Sequence, residues 1–130
     1  MVDTNTHLAI DAEWVGTPLA LSDGHARASL TTHARMAADA RGLVHGGFVF
    51  GLADYAAMLA VNDPFVVLGS SEARFLRPVV VGDVVVAQTL LQHDMDASPL
   101  FPRFEVPLYG QSHFAADAAL TAMLLEAASA

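Results

Sequence analysis

Residues 44–62, VHGGFVFGLADYAAMLAVN, combine two features that could act together in catalysis. The pair Gly46-Gly47, preceded by His45, stands where the pattern predicts the start of a helix. The first N–H groups of a helix lack intrahelical partners and carry the positive end of its dipole. Because glycine lets a ligand approach the backbone closely, these amides could polarise a carbonyl group. Asp54, two helical turns later, could then act on that group as a base or a nucleophile.

Asp54 has two interpretations, because burying a carboxylate without a partner is costly and some compensation must exist. In the first, it is a structural acid bonded to Ser70, Ser71 or a backbone amide across a sheet. In the second, it faces a cleft and reacts with a bound acyl group. A carboxylate and a carbonyl-polarising site on one helix together support a catalytic role more strongly than either feature alone.

The segments around this helix have the patterns of strands. Apolar and other residues alternate over residues 8–14, which predicts a half-buried strand. Ser22-Asp23-Gly24, between two short apolar runs, predicts a hairpin turn, because both central positions need positive φ. After the helix, strands are predicted over three segments, residues 65–76, 84–92 and about 101–109.

The segment 111–126 fits either a last strand or an alanine-rich helix. We favour the strand, because the open edge of the sheet needs a partner. The central helix should stop at Asn62-Asp63-Pro64, since proline cannot continue it. It is apolar on almost every side, as expected for a helix enclosed by a curved sheet with a second subunit behind it. The sequence therefore predicts one α+β domain over residues 1–130, an antiparallel sheet wrapped around a long central helix.

Composition excludes several classes of function. The six basic residues, all arginine, stand against fourteen acids, which gives a net charge of −8 and argues against binding nucleic acid or an anionic membrane. Without cysteine there can be no thiolate zinc site or cysteine nucleophile.

The run 44–61 carries an acid and three glycines, unlike a membrane span. The N-terminus has no signal-peptide pattern, so a cytoplasmic location is expected. Five histidines lack metal-ligand spacing and are expected on the surface or in strands: His7, His25, His33, His93 and His113.

Three motifs carry a resemblance to a known family. HGGFVFGLAD at residues 45–54 is followed by ARFLRP at 73–78 and VGD at 81–83. Together they resemble the hotdog-fold acyl-CoA thioesterases of the phenylacetate-pathway type. The resemblance covers about residues 19–125 and is strongest over residues 42–83.

The resemblance implies a role for each matching residue. Asp54 matches the family's acid, which activates water or attacks the thioester carbon. Gly46 or Gly47 matches the position whose N–H polarises the thioester carbonyl, and His45 matches the histidine that shapes the helix entry. In such enzymes two subunits share each site. The resemblance therefore implies a homodimer or a dimer of dimers, without metal or bound cofactor, and with coenzyme A as part of the substrate.

The chain also departs from the family pattern. Asp39 stands where family members often have an amide side chain, and a second carboxylate near Asp54 would raise the pKa of one of the two. Met58 stands where some members carry a hydroxyl group. Arg77 has equal claims as a phosphate ligand and as a structural ion-pair partner. The candidate substrate contacts are Asp39, Met58, Ser70, Ser71, Arg74 and Arg77, with Arg41 and Arg103 as further candidates for the phosphates.

Two alternatives to a thioesterase remain. A non-catalytic protein could bind an acyl thioester in the same pocket without cleaving it, although this chain has no DNA-binding extension to report such binding. An enoyl-thioester hydratase is disfavoured, because Leu59 replaces the histidine expected five residues after the acid. The acyl group itself cannot be read from the sequence.

Overall fold

The computed structural model describes the backbone of residues 3–22, 24–73, 75, 77–92, 103–110 and 115–124, and the side chains of 3–22, 24–68, 75 and 77–89. The elements in chain order are α1 (Ala12–Val15), β1 (Thr17–Ser22), β2 (His25–Thr31), a 3-10 turn (Ala34–Met36), α2 (Gly46–Val61), β3 (Val66–Ala73), β4 (Val84–Gln92), β5 (Arg103–Gly110) and β6 (Ala115–Leu124).

The strands form one six-stranded sheet in the order β1-β2-β4-β5-β6-β3. Every neighbouring pair is antiparallel. The hairpin predicted at the Asp-Gly turn is confirmed, with Ser22 paired to His25. The ambiguous final segment contains the strand β6, which lies between β5 and β3. The predicted α+β architecture, an antiparallel sheet with one main helix, is therefore confirmed.

Helix α2 is the centre of this fold and lies within the predicted range 44–62. It ends at Asn62, whose left-handed conformation (φ 54°) is typical of a C-cap. The sheet faces it mainly with small residues, which let helix and sheet approach closely. On β2 and β4 the buried side chains facing the core are those of Ala26, Ala28, Leu30, Val85, Ala87 and Thr89.

The strand predicted over residues 8–14 is wrong. In its place a turn, with a bond from Ile10 N–H to the His7 carbonyl, leads into the single-turn helix α1. The Asp11 carboxylate caps this helix by accepting a 3.0 Å hydrogen bond from Glu13 N–H. A cap followed by one helical turn can mimic the alternation of a short strand, because four residues are too few to separate the two periods.

No helix in the described part of the chain is long and apolar enough to cross a bilayer.

Candidate active site

Asp54 lies on the single side of α2 that the rest of the chain leaves partly open. Between Val49 and Ala60 every helix residue is buried except Phe50, Gly51 and Asp54. Gly51 and Phe50 precede Asp54 by three and four positions, so both lie on the same side of the helix as Asp54. A Cβ on Gly51 would meet no atom within 4 Å, which shows open space directly beside the acid's turn of the helix. Asp54 thus lies on a half-buried face of α2.

The Asp54 carboxylate is poorly solvated. Its Oδ1 atom is buried and has no hydrogen-bond partner among the described residues. Desolvation raises the pKa of Asp54 above its ordinary value, and the charge of His7 opposes that rise. A carboxylate with a raised pKa and a free oxygen is suited to accept a proton, which is the property that general-base catalysis requires.

The N-terminus of α2 is capped by a histidine side chain. His45 is the N-cap, and its Nδ1 atom accepts a 2.7 Å hydrogen bond from Gly47 N–H. A Cβ on Gly47 would lie 2.9 Å from that Nδ1 atom, so glycine makes room for the cap. Gly46 N–H donates to no residue in the described part of the chain. Of the two predicted carbonyl-polarising amides, the one at Gly46 is therefore the open one.

The acid and this open amide are far apart within one chain. Asp54 lies eight positions after Gly46, which is about 12 Å along a helix. A single carbonyl group cannot contact both groups of the same chain.

Asp39, predicted as a substrate contact, instead organises its own loop. Its Oδ1 atom accepts hydrogen bonds from the N–H groups of Arg41 (2.9 Å) and Leu43 (3.2 Å). Its Oδ2 atom accepts from the Arg41 guanidinium at 3.1 and 3.2 Å. The Leu43 N–H, ahead of the contacts with Arg41, holds the pKa of Asp39 below its ordinary value. Asp39 is not among the groups that shift the pKa of Asp54.

Two of the other predicted substrate contacts lie among the described side chains, and three do not. Met58 is 0% exposed and belongs to the hydrophobic core, so it presents no surface within one chain. Arg77 is exposed. Ser70 and Ser71 lie on β3, but their side chains are outside the described set, as is all of Arg74. Whether these three contact the acid or a substrate stays a prediction.

His7, which was expected on the surface or in a strand, is half-buried, and its charge opposes the rise that burial causes in the pKa of Asp54. Its ring lies 6.3 Å from the ring of Tyr55, the residue next to Asp54. Nothing in the spacing signals this contact, since it depends on how the N-terminal segment crosses α2.

A separate cavity of about 330 Å³ opens beside α1, β1 and β2. At its edge Glu13 lies 3.5 Å from His33 and 3.8 Å from Arg35, whose guanidinium stacks over Trp14 at 4.6 Å. The lining residues are Ala12, Glu13, Thr17, Ser29, Thr31 and His33. Asp54 does not line this cavity, and no group of three or more metal-binding side chains occurs among the described residues.

The chain is similar to a known protein family and to solved structures. The model of the thioesterase superfamily matches residues 41–93, the part of the chain that contains α2 and all three motifs. The structure of an uncharacterised protein from Pyrococcus horikoshii superposes with a TM-score of 0.89 at 42% identity, over 95% of this chain and 93% of that one. The chain belongs to the thioesterase superfamily. It has the hotdog fold of that family.

Two further solved structures share the fold of this hotdog protein. A mutant of the phenylacetic acid degradation protein PaaI from Thermus thermophilus is 27% identical, with a TM-score of 0.74, over 86% of this chain and 96% of that one. A hypothetical thioesterase from Streptococcus pneumoniae, solved with coenzyme A, shares the fold at 20% identity and a TM-score of 0.72. The superposition covers 83% of this chain and 84% of that one.

A curated relative has a different name. Methylthioribose-1-phosphate isomerase of Aquifex aeolicus is 47% identical over 93 residues, which are 72% of this chain. The chain spans only about a fifth of that isomerase, as the matched part is 20% of its length.

Proposed function

We propose that this hotdog protein hydrolyses an acyl thioester, with coenzyme A or an acyl carrier as the thiol part. The observation that carries the proposal is the position of Asp54 on the half-buried face of α2, with a buried carboxylate oxygen that has no hydrogen-bond partner among the described residues. The thioesterase family match and the neighbour solved with coenzyme A support the class of substrate.

In the proposed reaction the Asp54 carboxylate accepts a proton from water as the water oxygen attacks the thioester carbon. The negative charge that develops on the carbonyl oxygen is stabilised by the open N–H at Gly46, aided by the helix dipole. The C–S bond then breaks, and the proton held by Asp54 passes to the departing thiolate. In a variant of this scheme, Asp54 itself attacks the thioester carbon. This attack forms an anhydride, which water then cleaves.

The scheme requires two chains. Because the open amide and the acid of one helix are about 12 Å apart, each site would combine Asp54 of one protomer with the helix start of another. We therefore propose a homodimer or a dimer of dimers as the active form.

The test is a panel of aromatic, short-chain and long-chain acyl-CoAs with release of free thiol as the signal. Asp54→Asn should lower turnover by about two orders of magnitude or more, as for loss of a general base. The matched control is Asp63→Asn just beyond α2, where the side-chain oxygen that accepts from Phe65 N–H is retained. Failure of the wild type to release thiol from any substrate, or full activity of Asp54→Asn, would contradict the proposal.

One observation favours a second candidate, a protein that binds an acyl thioester without cleaving it. The Gly47 N–H is already occupied by His45, which leaves fewer amides for a developing oxyanion. Equilibrium binding of an acyl-CoA without thiol release would identify this function. The isomerase name of the curated relative belongs to a protein about five times the length of the matched segment. Methylthioribose 1-phosphate is a useful negative control in the panel.

A further inference from the structure

The segment between β3 and β4 runs antiparallel beside the residues that lead into α2. Val81 N–H donates a 2.8 Å hydrogen bond to the Gly42 carbonyl, and Val44 N–H donates one of the same length to the Val79 carbonyl. As the residue number falls along this segment, its partner moves towards the helix. The earlier part of the segment therefore lies beside the N-terminus of α2.

The ring of Phe75 packs on the first residue of α2. A Cβ on Gly46 would lie 3.6 Å from Cε1 of Phe75 and 3.9 Å from its Cδ1 and Cζ atoms. A Cβ lies about 2.5 Å from the amide nitrogen of its own residue, so the ring edge is within about 6 Å of the Gly46 nitrogen. The N–H of that residue is the one that donates to no residue in the described part of the chain.

Much of the Phe75 ring still faces outward. The residue is 52% exposed, and Val80 on the same segment is 45% exposed. An exposed apolar side chain by itself is common on protein surfaces and needs no explanation. This ring, however, lies beside a backbone donor that needs an acceptor. An apolar surface next to a fixed polar group is the combination with which binding sites orient a ligand.

A carbonyl group bound at Gly46 would bring its acyl substituent close to this ring. The carbonyl oxygen accepts from an N–H group at about 2.9 Å, and the first acyl carbon lies about 2.4 Å from that oxygen. The acyl carbons nearest the carbonyl are therefore within reach of the Phe75 ring. A phenyl ring offers no charge and no strong hydrogen bond, so it favours apolar groups and disfavours polar ones, which would lose water without a partner.

We propose that Phe75 is a specificity-determining residue, whose exposed ring packs against the acyl group of a thioester bound at Gly46 and favours aryl and longer aliphatic acyl groups over acetyl. The inference rests on the proposed function for the reaction itself. The contact between ring and acyl group can be tested by binding, without turnover.

The kinetic test compares benzoyl-CoA and hexanoyl-CoA with acetyl-CoA as substrates of Phe75→Ala. Because the variant loses an apolar contact that acetyl is too small to make fully, kcat/KM for the two larger substrates should fall by about tenfold or more relative to acetyl-CoA. The matched control is Phe65→Ala. Phe65 is also 52% exposed, but it follows the C-terminal end of α2, where its N–H donates to Asp63. This control should keep the wild-type ratios.

A second variant, Phe75→Gln, replaces the ring with a polar side chain that still fills part of its space. It should lose the same preference, which keeps the test available should Phe75→Ala not fold. Unchanged substrate ratios in the folded variants overturn the proposal. An equal loss with all three substrates also overturns it, because the ring would then contact the thiol part that all three share.

Binding of ketone analogues separates this inference from the proposed function. In phenacyl-CoA and acetonyl-CoA a CH₂ group stands between the sulfur and the carbonyl, so hydrolysis cannot release the thiol. In calorimetry the wild type and Phe65→Ala should bind phenacyl-CoA about tenfold more tightly than acetonyl-CoA, and Phe75→Ala should bind the two about equally. This result supports the contact even in a protein that does not hydrolyse thioesters. A wild type without this preference, or a preference that Phe75→Ala retains, overturns the proposal whatever the thiol-release assay shows.

Discussion

His45 and Gly47 share one hydrogen bond and leave no room for a Cβ between them. The Nδ1 atom of His45 accepts from Gly47 N–H at 2.7 Å, and a Cβ on Gly47 would lie 2.9 Å from the same atom. The glycine at this position is thus explained by the histidine that caps the helix. A side chain at position 47 must displace the imidazole ring.

Gly47→Ala should therefore act mainly by removing the cap. The loss of an N-cap bond costs about 1 kcal/mol of stability, and His45→Ala should cost a similar amount. Because both changes break the same bond, the double variant should be little worse than either single one. Thermal or denaturant unfolding of the three variants provides the measurement.

Gly51→Ala is the matched control on the same helix. Its Cβ would enter open space, so the variant should keep or gain stability, by up to about 1 kcal/mol from helix propensity. A Gly47→Ala protein that is stabilised by as much as Gly51→Ala would show that the cap contributes nothing, because both variants gain the same helix propensity.

A second prediction concerns the stability cost of Asp54. Its pKa is raised by burial, so the folded state holds the proton more tightly than the unfolded state, and the wild type loses stability as pH rises from about 3.8 to the raised pKa. Asn cannot ionise, so the stability of Asp54→Asn relative to wild type should increase through that window and level off above it. Denaturant unfolding at a series of pH values measures the difference. A difference that does not change with pH would show that burial does not perturb the carboxyl.

Asp39→Asn should give the opposite pH dependence. The pKa of Asp39 is lowered, first by Leu43 N–H, so its ionised form favours the folded state above pH 3.8 and this contribution disappears as pH falls through the folded pKa. Asparagine keeps an oxygen for the two backbone N–H groups, so the loop should survive. The wild type should therefore be the more stable protein near neutral pH, by a small margin that vanishes in acid. The acid limb of activity should not move, and a clear displacement would show that Asp39 acts on the reacting acid.

Mixed dimers test the shared site. Asp54→Asn and Gly46→Val should each be inactive, since valine would cover the open amide while its Cβ meets Phe75 only at an ordinary 3.6 Å. After unfolding and refolding together in equal amounts, half of the dimers are mixed, and each mixed dimer holds one intact site of two. About one quarter of the wild-type rate should return. No recovery in a mixture shown to exchange subunits would place the acid and the amide of each site in one chain.

The sequence predicted the helix and most strands because their signals are local. The Asp-Gly turn fixes the first hairpin, Asn62-Asp63-Pro64 ends α2, and the apolar run 84–92 matches β4. The prediction of a strand over residues 8–14 was wrong because a capped single turn of helix can show the same alternation of apolar and other residues as a short strand. Asp54 could be singled out since an acid within an apolar helix is conspicuous. His7 could not, because its place beside Tyr55 depends on hydrogen bonds between residues more than fifty positions apart, those of Asn62 with Asp3 and Asn5.

The position of β3 in the sheet has a consequence for how the chain folds. Although β3 follows α2 directly, it stands at the sheet edge and pairs with β6, so that Val66 meets Leu124 across nearly half the chain length. During synthesis β3 must wait for this pairing until β6 has left the ribosome. Pairings of such long range are slow to form, and an unpaired strand is exposed to aggregation in the meantime. Truncations that remove β6 should therefore yield aggregates rather than a smaller folded protein.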